Sequence, residues 1–515
     1  MPSRGLYFLS MAYYSIENLL QKARELKSAH LFLTDFEGRF PDGEIYLVGG
    51  AVRDFLLGRN TKDADFLVRN IPAPRLHQFL SQHGKANFVG KNFGVYKFIP
   101  FGEIDEIDIA LPRTERSFYY KGGYRDFEIE TNPNLPIEED LKRRDFTVNA
   151  IALDMKLFCL IDPFNGLQDL ESSLLRAVGE PSVRFSEDHS RLLRGLRFAC
   201  QFDFSFDPLT QDALFEKVPF LNAKKEDGTF VVPRETIAKE FLKALCYNPV
   251  RMFDLWDQSG AFLQLIPELL KMKDCPQPPK FHSEGDVWMH TRLALEQLNS
   301  SVFKEEFQAD FDAEIALSVL LHDVGKPATI QTPEKDGVDR IRFNGHDQVG
   351  ASIARDIIKR LKLSSMPRSS RYSIDEDAVA WLIEKHLILV CGDVDDMRSA
   401  TIEKYFLNPQ TPGQNLMRLI FCDGNASIPD SQIPEMRHYY QLKARLEKMK
   451  ALGKGRANMP APLLSGREVM AVLEISAGPT VGKYLAVLRE EQLSGRVKDR
   501  DEAISFLKRP ATPLS

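Results

Sequence analysis

The sequence predicts an α+β multidomain protein in which a small mixed-β head is followed by mostly α-helical domains. Three observations predict it. The chain has 515 residues, well past the roughly 250–300 at which a single core stops growing, so three or four domains are expected. Short apolar runs of strand length, such as IYLV at 45–48 and VYKFI at 95–99, gather between residues 45 and 111. From about residue 170 glycine thins out and helix-period patterns take over, as in HSRLLRGLRFACQF and TIAKEFLKAL.

Taken in order, residues 1–44 read as a helical lead-in, SIENLLQKARELKSAHLFL, closed by the turn-rich FEGRFPDGE. The head, 45–170, opens with the strand IYLV, the Gly49-Gly50 turn and the helix AVRDFLLG. A second strand at ADFLV follows, then VYKFI and EIDIAL. Residues 171–275 form a helical region. The proline-rich CPQPPK at 275–280 marks the start of a central helical domain, 276–430, and a last helical module covers 431–515, with MPAPLL at 459–464 as a further break. No internal repeat of fixed period is present.

Composition is that of a globular protein, with 43% apolar and 27% charged residues. No segment approaches the roughly 18 consecutive apolar residues of a membrane span, and GLYFLSMAYY lacks a signal-peptide cleavage pattern. A cytoplasmic protein without a membrane partner is expected. The cysteines, Cys159, Cys200, Cys246, Cys275, Cys391 and Cys422, form no CxxC pair and fit reduced thiols. A net charge of −6 argues against non-specific coating of nucleic acid, while leaving room for a local basic stripe.

The sharpest local pattern is LVGGAVRDFLLGRNTKDADFLV. Two glycines between strand and helix let the backbone approach a phosphate closely, and the helix start behind them offers free N–H groups. Asp63 and Asp65, two apart in an expected strand, project from one face. Paired carboxylates with substrate phosphates suit Mg²⁺. Downstream stand KRRDFTVNAIALD (142–154), IDPFNGLQDL (161–170) and EDHSRLLRGLRFACQFDF (187–204), in which Asp188, Arg191, Arg194 and Arg197 recur at i+3 on one expected helix. An acid followed by three arginines is a good reader of anions and base edges.

These segments, in this order, resemble the class II tRNA nucleotidyltransferase and bacterial poly(A) polymerase family across residues 45–205. The resemblance implies a nucleotidyltransferase head in which Asp63 and Asp65 hold catalytic Mg²⁺, while Gly50 and Arg53 contact the incoming nucleotide's phosphates. It places Arg144, Asp145 and Asn149 around the ribose, Asp188 and Arg191 on the Watson–Crick edge of CTP or ATP, and Arg194 and Arg197 at the triphosphate. Residues 110–127, with Arg113, Glu115 and Arg116, resemble the family's flexible loop, and Asp108 is a candidate third acid. His189 stands where many relatives carry proline.

The central domain offers HSEGDVWMHT, IALSVLLHDVGKP, FNGHDQVG, IEKHLIL and LIFCDGNAS. Imidazoles together with carboxylates suit a transition metal, Mn, Ni, Zn or Fe, and a bridging Asp allows two ions to activate a water. The set is similar to the HD phosphohydrolase superfamily, an all-α domain. The resemblance implies ligands His290, His322, Asp323 and Asp423, with His346 and His386 at the extra positions of two-metal members. Lys326 is either a phosphate contact or an ordinary helix-end lysine. Phosphoester ends of RNA or nucleotides, including 2′,3′-cyclic phosphates, are the implied substrates.

In the last module, EMRHYYQLKARLEKMKALGKGR suits a basic helix along a tRNA backbone or a solvated face, and PAPLLSGREVMAVL onward resembles the C-terminal part of family members that carry the hydrolase. The function implied is addition or repair of the terminal CCA at a tRNA 3′ end from CTP and ATP. The same motifs fit poly(A) polymerase or a CC-only or A-only enzyme. A phosphohydrolase whose head merely binds RNA is the reading from another class, and the Asp63/Asp65 pair argues against it.

Overall fold

Side chains alternate faces along a strand, and in the head that alternation serves two separate cores. The computed structural model describes residues 15–61, 63–89, 94–117, 127–390, 393–452 and 461–509. The chain divides into two units, Met1–Tyr247 with Asp254–Leu265 and Asn248–Phe253 with Ile266–Ser515.

The first unit is built on a seven-stranded sheet. Its strands are β1 (Glu44–Val48), β2 (Asp65–Arg69), β3 (Gly84–Val89), β4 (Val95–Pro100), β5 (Ile107–Ala110), β8 (Ala152–Asp154) and β9 (Leu160–Ile161), in the order β3-β4-β5-β2-β1-β8-β9. A separate hairpin, β6 (Arg113–Ser117) with β7 (Phe127–Thr131), precedes β8. In the large sheet β2 and β5 run parallel, with Asp65 opposite Asp108, and the other pairs are antiparallel. The strands expected at IYLV, ADFLV, VYKFI and EIDIAL are β1, β2, β4 and β5. Asp63 departs from expectation: β2 begins at Asp65, and Asp63 stands exposed in the preceding loop. Of the segment 110–127, residues 118–126 lie outside the described residues.

One face of the sheet packs Tyr46, Val48 and Leu67 against Ile137 and Leu141 of the helix Ile137–Lys142. The other packs Phe66 and Phe98 against Phe32, whose ring meets theirs edge-on at 6.1 and 5.1 Å. Phe32 belongs to the lead-in, whose helices Ile16–Ala29 and Leu31–Arg39 therefore form one wall of the head. Phe32 is 2% exposed, so Phe32→Ala should cost about 3–5 kcal/mol, read as a lower midpoint in chemical denaturation. A surface lead-in would leave that midpoint unmoved.

Behind the sheet, the helix Ser190–Phe202 carries Arg191, Arg194 and Arg197 and packs on the helix Arg234–Tyr247. A Cβ at Gly195 would stand 2.9 Å from the Phe146 ring, so this glycine brings the arginine helix close to the RRDFTVNA segment. Asp188 is not on that helix; it is extended backbone between the helices Pro181–Glu187 and Ser190–Phe202, and its Oδ1 accepts the Ser190 N–H at 2.8 Å. Asp and Ser at a helix entry satisfy otherwise free backbone donors, which ends the i+3 pattern there.

The described residues of the second unit contain no strand. Its core is formed by the helices Val287–Gln297, Ala313–Leu321, His346–Leu361, Glu376–Lys385 and Gly413–Ala426. The basic helix Arg437–Leu452 turns part of its polar set inward. Tyr439 donates to Glu306 at 2.8 Å, Lys443 Nζ lies 2.7 Å from the same carboxylate, and Arg445 donates to the Val394 carbonyl. The last three helices, Gly466–Leu473, Pro479–Leu493 and Arg500–Leu507, share a small apolar core. They are fastened to the rest of the unit by Glu490, which accepts the N–H groups of Ser399 and Ala400 at 2.7 and 2.9 Å, and by Arg489 paired with Glu403. Among the described residues no helix is long and apolar enough to cross a membrane.

Candidate functional site

In the head, the strand-turn-helix at Gly49-Gly50 borders a cavity of about 700 Å³. Gly49 has φ +70°, and a Cβ there would stand 2.5 Å from Arg144 Nη1, so the glycine permits both the turn and the crossing of Arg144 over it. Gly50, Arg53, Asp63, Asp65, Arg144, Asp145, Asn149, Asp188, Arg191, Arg194 and Arg197 all line this cavity, whereas Asp108, the candidate third acid, does not.

Asp65 sits beside Asp108 across the β2–β5 register. Burial, the Asp108 charge and, more weakly, Asp63 push its carboxyl up to about 6, against the pull of Arg144 and Lys97. Asp108 itself is held by Lys97 at 2.7 Å. A half-buried carboxylate raised by two carboxylate neighbours is relieved by a divalent cation, and an all-oxygen donor set suits Mg²⁺. The residues therefore fit the metal that the sequence implies. With the folded value above the ordinary 3.8, Asp65 without a cation favours the fold below that value, and this contribution is lost as pH rises through about 6. Cation binding reverses the preference, because protons compete with Mg²⁺. Mg²⁺ affinity measured by calorimetry should fall about tenfold per pH unit once pH drops below the raised value; a flat profile between pH 5 and 7 would remove Asp65 from the site.

The basic side of the cavity is less free than the motifs suggest. Asp145 is buried and accepts from Phe146 N–H and Asn149 Nδ2, both at 2.9 Å, and from Arg194 Nε at 2.7 Å. Burial opposes its charge, but Arg194 and Asn149 hold its carboxyl well below the usual range. Arg53 in turn donates to Asn149 Oδ1 and lies over the Phe202 ring at 4.5 Å. The chain Arg53–Asn149–Asp145–Arg194 thus joins three motifs far apart in sequence. Arg191 pairs with Glu187 at 2.7 Å and Arg197 pairs with Glu240. Glu240, 43 residues from Arg197, was not legible as a partner, and neither were Arg59, Lys243 and Tyr247, which also border the cavity. Only residue type pointed to them.

In the second unit all six expected ligands converge. His290, His322 and Asp423 form one triad of possible ligands, and Asp323, His346 and His386 another. His290 Nε2 lies 3.1 Å from Asp423 Oδ1 and 3.4 Å from His322 Nε2, while His346 and His386 approach through their Nε2 atoms at 3.3 Å. Asp323 stands between the triads, with Oδ2 3.3 Å from His322 and Oδ1 3.5 Å from His346.

The ring orientations have a common cause. Nδ1 of His322, His346 and His386 faces the carbonyl of Val319, Phe343 and Ile383 at 2.8, 2.7 and 2.6 Å. A carbonyl only accepts, so it keeps the proton on Nδ1 and turns the Nε2 lone pair inward. Converging lone pairs with the buried Asp323 and half-buried Asp423 carboxylates are a donor set for a transition metal. Lys326 is buried here, 2.6 Å from Asp323 Oδ2 and donating to Gln277 Oε1 at 2.8 Å, so it is part of the site and no ordinary helix-end lysine. Gln277, in the proline-rich CPQPPK, and Glu284, in HSEGDVWMHT, stand at no ligand position that the resemblance implies, so nothing in the sequence singles them out.

The description "Poly A polymerase head domain" matches residues 45–176, and "HD domain" matches 286–405. An A-adding tRNA nucleotidyltransferase from Deinococcus radiodurans is 32% identical over 472 residues, 91% of this chain and 96% of that protein. A multifunctional CCA protein from Nitrosococcus oceani is 36% identical over 324 residues, 62% of this chain and 70% of that one. Among solved structures, the Thermotoga maritima CCA-adding enzyme complexed with tRNA shares the fold, with a TM-score of 0.59 at 20% identity over 96% of this chain and 97% of that one. The Bacillus stearothermophilus CCA-adding enzyme in complex with CTP gives 0.58 at 20% identity, over 94% and 96%.

Proposed function

The chain belongs to the family of tRNA nucleotidyltransferases that pair a poly(A) polymerase head with an HD domain, and from this premise we propose that it adds or repairs the whole CCA end of tRNA from CTP and ATP. The observation that carries the reading is the single cavity that gathers Asp63 and Asp65, the glycine turn and the arginine helix. In the transfer, the terminal 3′ oxygen of the RNA bonds to the α-phosphorus of the nucleotide and pyrophosphate leaves. Asp63 and Asp65 would hold Mg²⁺, which when bound would neutralise phosphate charge and make the attacking hydroxyl more acidic. Gly50 lets the phosphates approach the backbone, Arg53 and Arg194 meet their charge, and Asp188 and Arg191 read the base edge. Asp145 and Asn149 act from behind, holding those cations in place. Catalysis is then positioning and charge stabilisation, with no covalent enzyme intermediate.

The HD domain, on this reading, hydrolyses phosphoester ends of RNA or nucleotides, with Mn, Ni, Zn or Fe held by the two triads. The lead-in would end near residue 44, the head near 170, the helical template and RNA-binding region near 275 and the hydrolase near 430, and the rest would meet tRNA. A cytoplasmic location suits a tRNA substrate. A-only addition is the second reading, favoured by the Deinococcus relative.

The test incubates the protein and Mg²⁺ with tRNA transcripts ending before CCA, after C and after CC, with CTP and ATP apart and together. Growth that stops at CCA supports the proposal. Growth by A alone, by CC alone or into long A tails replaces it with the corresponding specialised enzyme.

A further inference from the structure

One buried carboxylate beside the HD site lies in the segment HSEGDVWMHT but is not among the ligands that the resemblance implies. Glu284 lies ahead of the helix Val287–Gln297 with its side chain 1% exposed. Its Oε1 accepts from His282 Nδ1 at 2.7 Å and from His290 Nδ1 at 2.9 Å. Its Oε2 accepts the Ile428 N–H at 3.0 Å, just past the helix Gly413–Ala426 that carries Asp423.

His290 differs here from the other three histidines. Theirs are oriented by backbone carbonyls, whereas His290 alone is oriented by a side chain, and that side chain also ties down the end of the Asp423 helix. Both attachments lead to the same triad.

We propose that Glu284 is a positioning residue that keeps the His290 proton on Nδ1, with Nε2 turned toward His322 and Asp423, and so sets the metal affinity of that triad alone. The proposal rests on the two-triad reading of the HD domain. Glutamine has nearly the same shape but cannot accept at both ends. If its oxygen serves the histidines, its NH₂ meets the Ile428 N–H; if it turns over, its NH₂ faces His290 Nδ1 and drives the proton to Nε2, where it blocks a metal.

The experiment titrates the full-length protein with Mn²⁺ in a calorimeter, before and after Glu284→Gln, and counts bound Mn²⁺ by elemental analysis. The expected result is one site weakened about 10–100-fold and the other unchanged, with nucleotide addition by the head also unchanged. His282→Ala, which leaves the bond to His290, weakens neither site. Nitrogen NMR of the histidine rings gives a second readout: a His290 ring protonated at Nδ1 in the unaltered protein and at Nε2 in the variant. Equal affinities before and after substitution overturn the proposal, as does an equal loss at both sites, which would mark a merely structural role. Failure of the unaltered protein to bind Mn²⁺ overturns the two-triad reading itself.

Discussion

Asp65→Asn is expected to lower nucleotide addition about a thousandfold, since on the proposed reading it removes one metal carboxylate and with it several kcal/mol of charge stabilisation, and about 1.36 kcal/mol is a factor of ten. The size follows from where Asp65 sits. It is the only one of the cavity's acids that begins a strand in the sheet, and its carboxyl is already raised by burial and by Asp108. Asparagine keeps the shape and removes the charge, so the fold should persist. Hydrolysis by the HD domain in the same preparation should not change, because its donors lie in the other unit. Single-turnover addition to a tRNA lacking its terminal A measures the effect, and a loss smaller than tenfold would mean that Asp65 is not a metal ligand. Replacing Asp63 as well adds little beyond the first loss, since groups acting on one cation are not additive.

The second large effect is expected at Asp323. Its two oxygens face different histidines, Oδ2 toward His322 and Oδ1 toward His346, so although it groups with His346 and His386 it is the carboxylate that would bridge to the other triad. Asp323→Asn should therefore strip metal from both triads and lower phosphoester hydrolysis about a thousandfold, whereas His386→Ala should empty only one. Metal content per chain distinguishes the two outcomes, with circular dichroism to confirm that the helices remain. Retention of one metal by the Asp323 variant would show that the carboxylate does not bridge.

Much of both sites was legible in the sequence because the informative spacing is local. A strand, two glycines and a helix fall within residues 44–56, and His322-Asp323 are adjacent. The expected residues also meet as expected, in one cavity and in two triads. What stayed hidden depends on contacts across the fold. Glu240 reaches Arg197 from another helix, Asp145 reaches Arg194 across 49 positions, and Phe32 joins the sheet core from a segment that looked like a mere lead-in. Periodicity reports which face of an element is apolar, and says nothing of the element that covers it. Asp63 and Asp188 illustrate a second limit. Each lies one or two residues outside the regular element to which its spacing assigned it, because polar side chains at element ends bond local backbone.

Two of the HD histidines occupy a special place in their helices. His322 directly follows the helix Ala313–Leu321, and His386 directly follows Glu376–Lys385, each bonding back to a carbonyl three residues earlier. Those carbonyls belong to a last helical turn, whose acceptors have no partner within the helix. Each candidate ligand is therefore also the stopper of the helix that carries it. Such a design makes these two helices intolerant of length changes. One inserted residue would swing the ring by about 100° around the axis and leave the terminal carbonyls bare at once, so drift in the length of these segments is excluded more strictly than change in their composition.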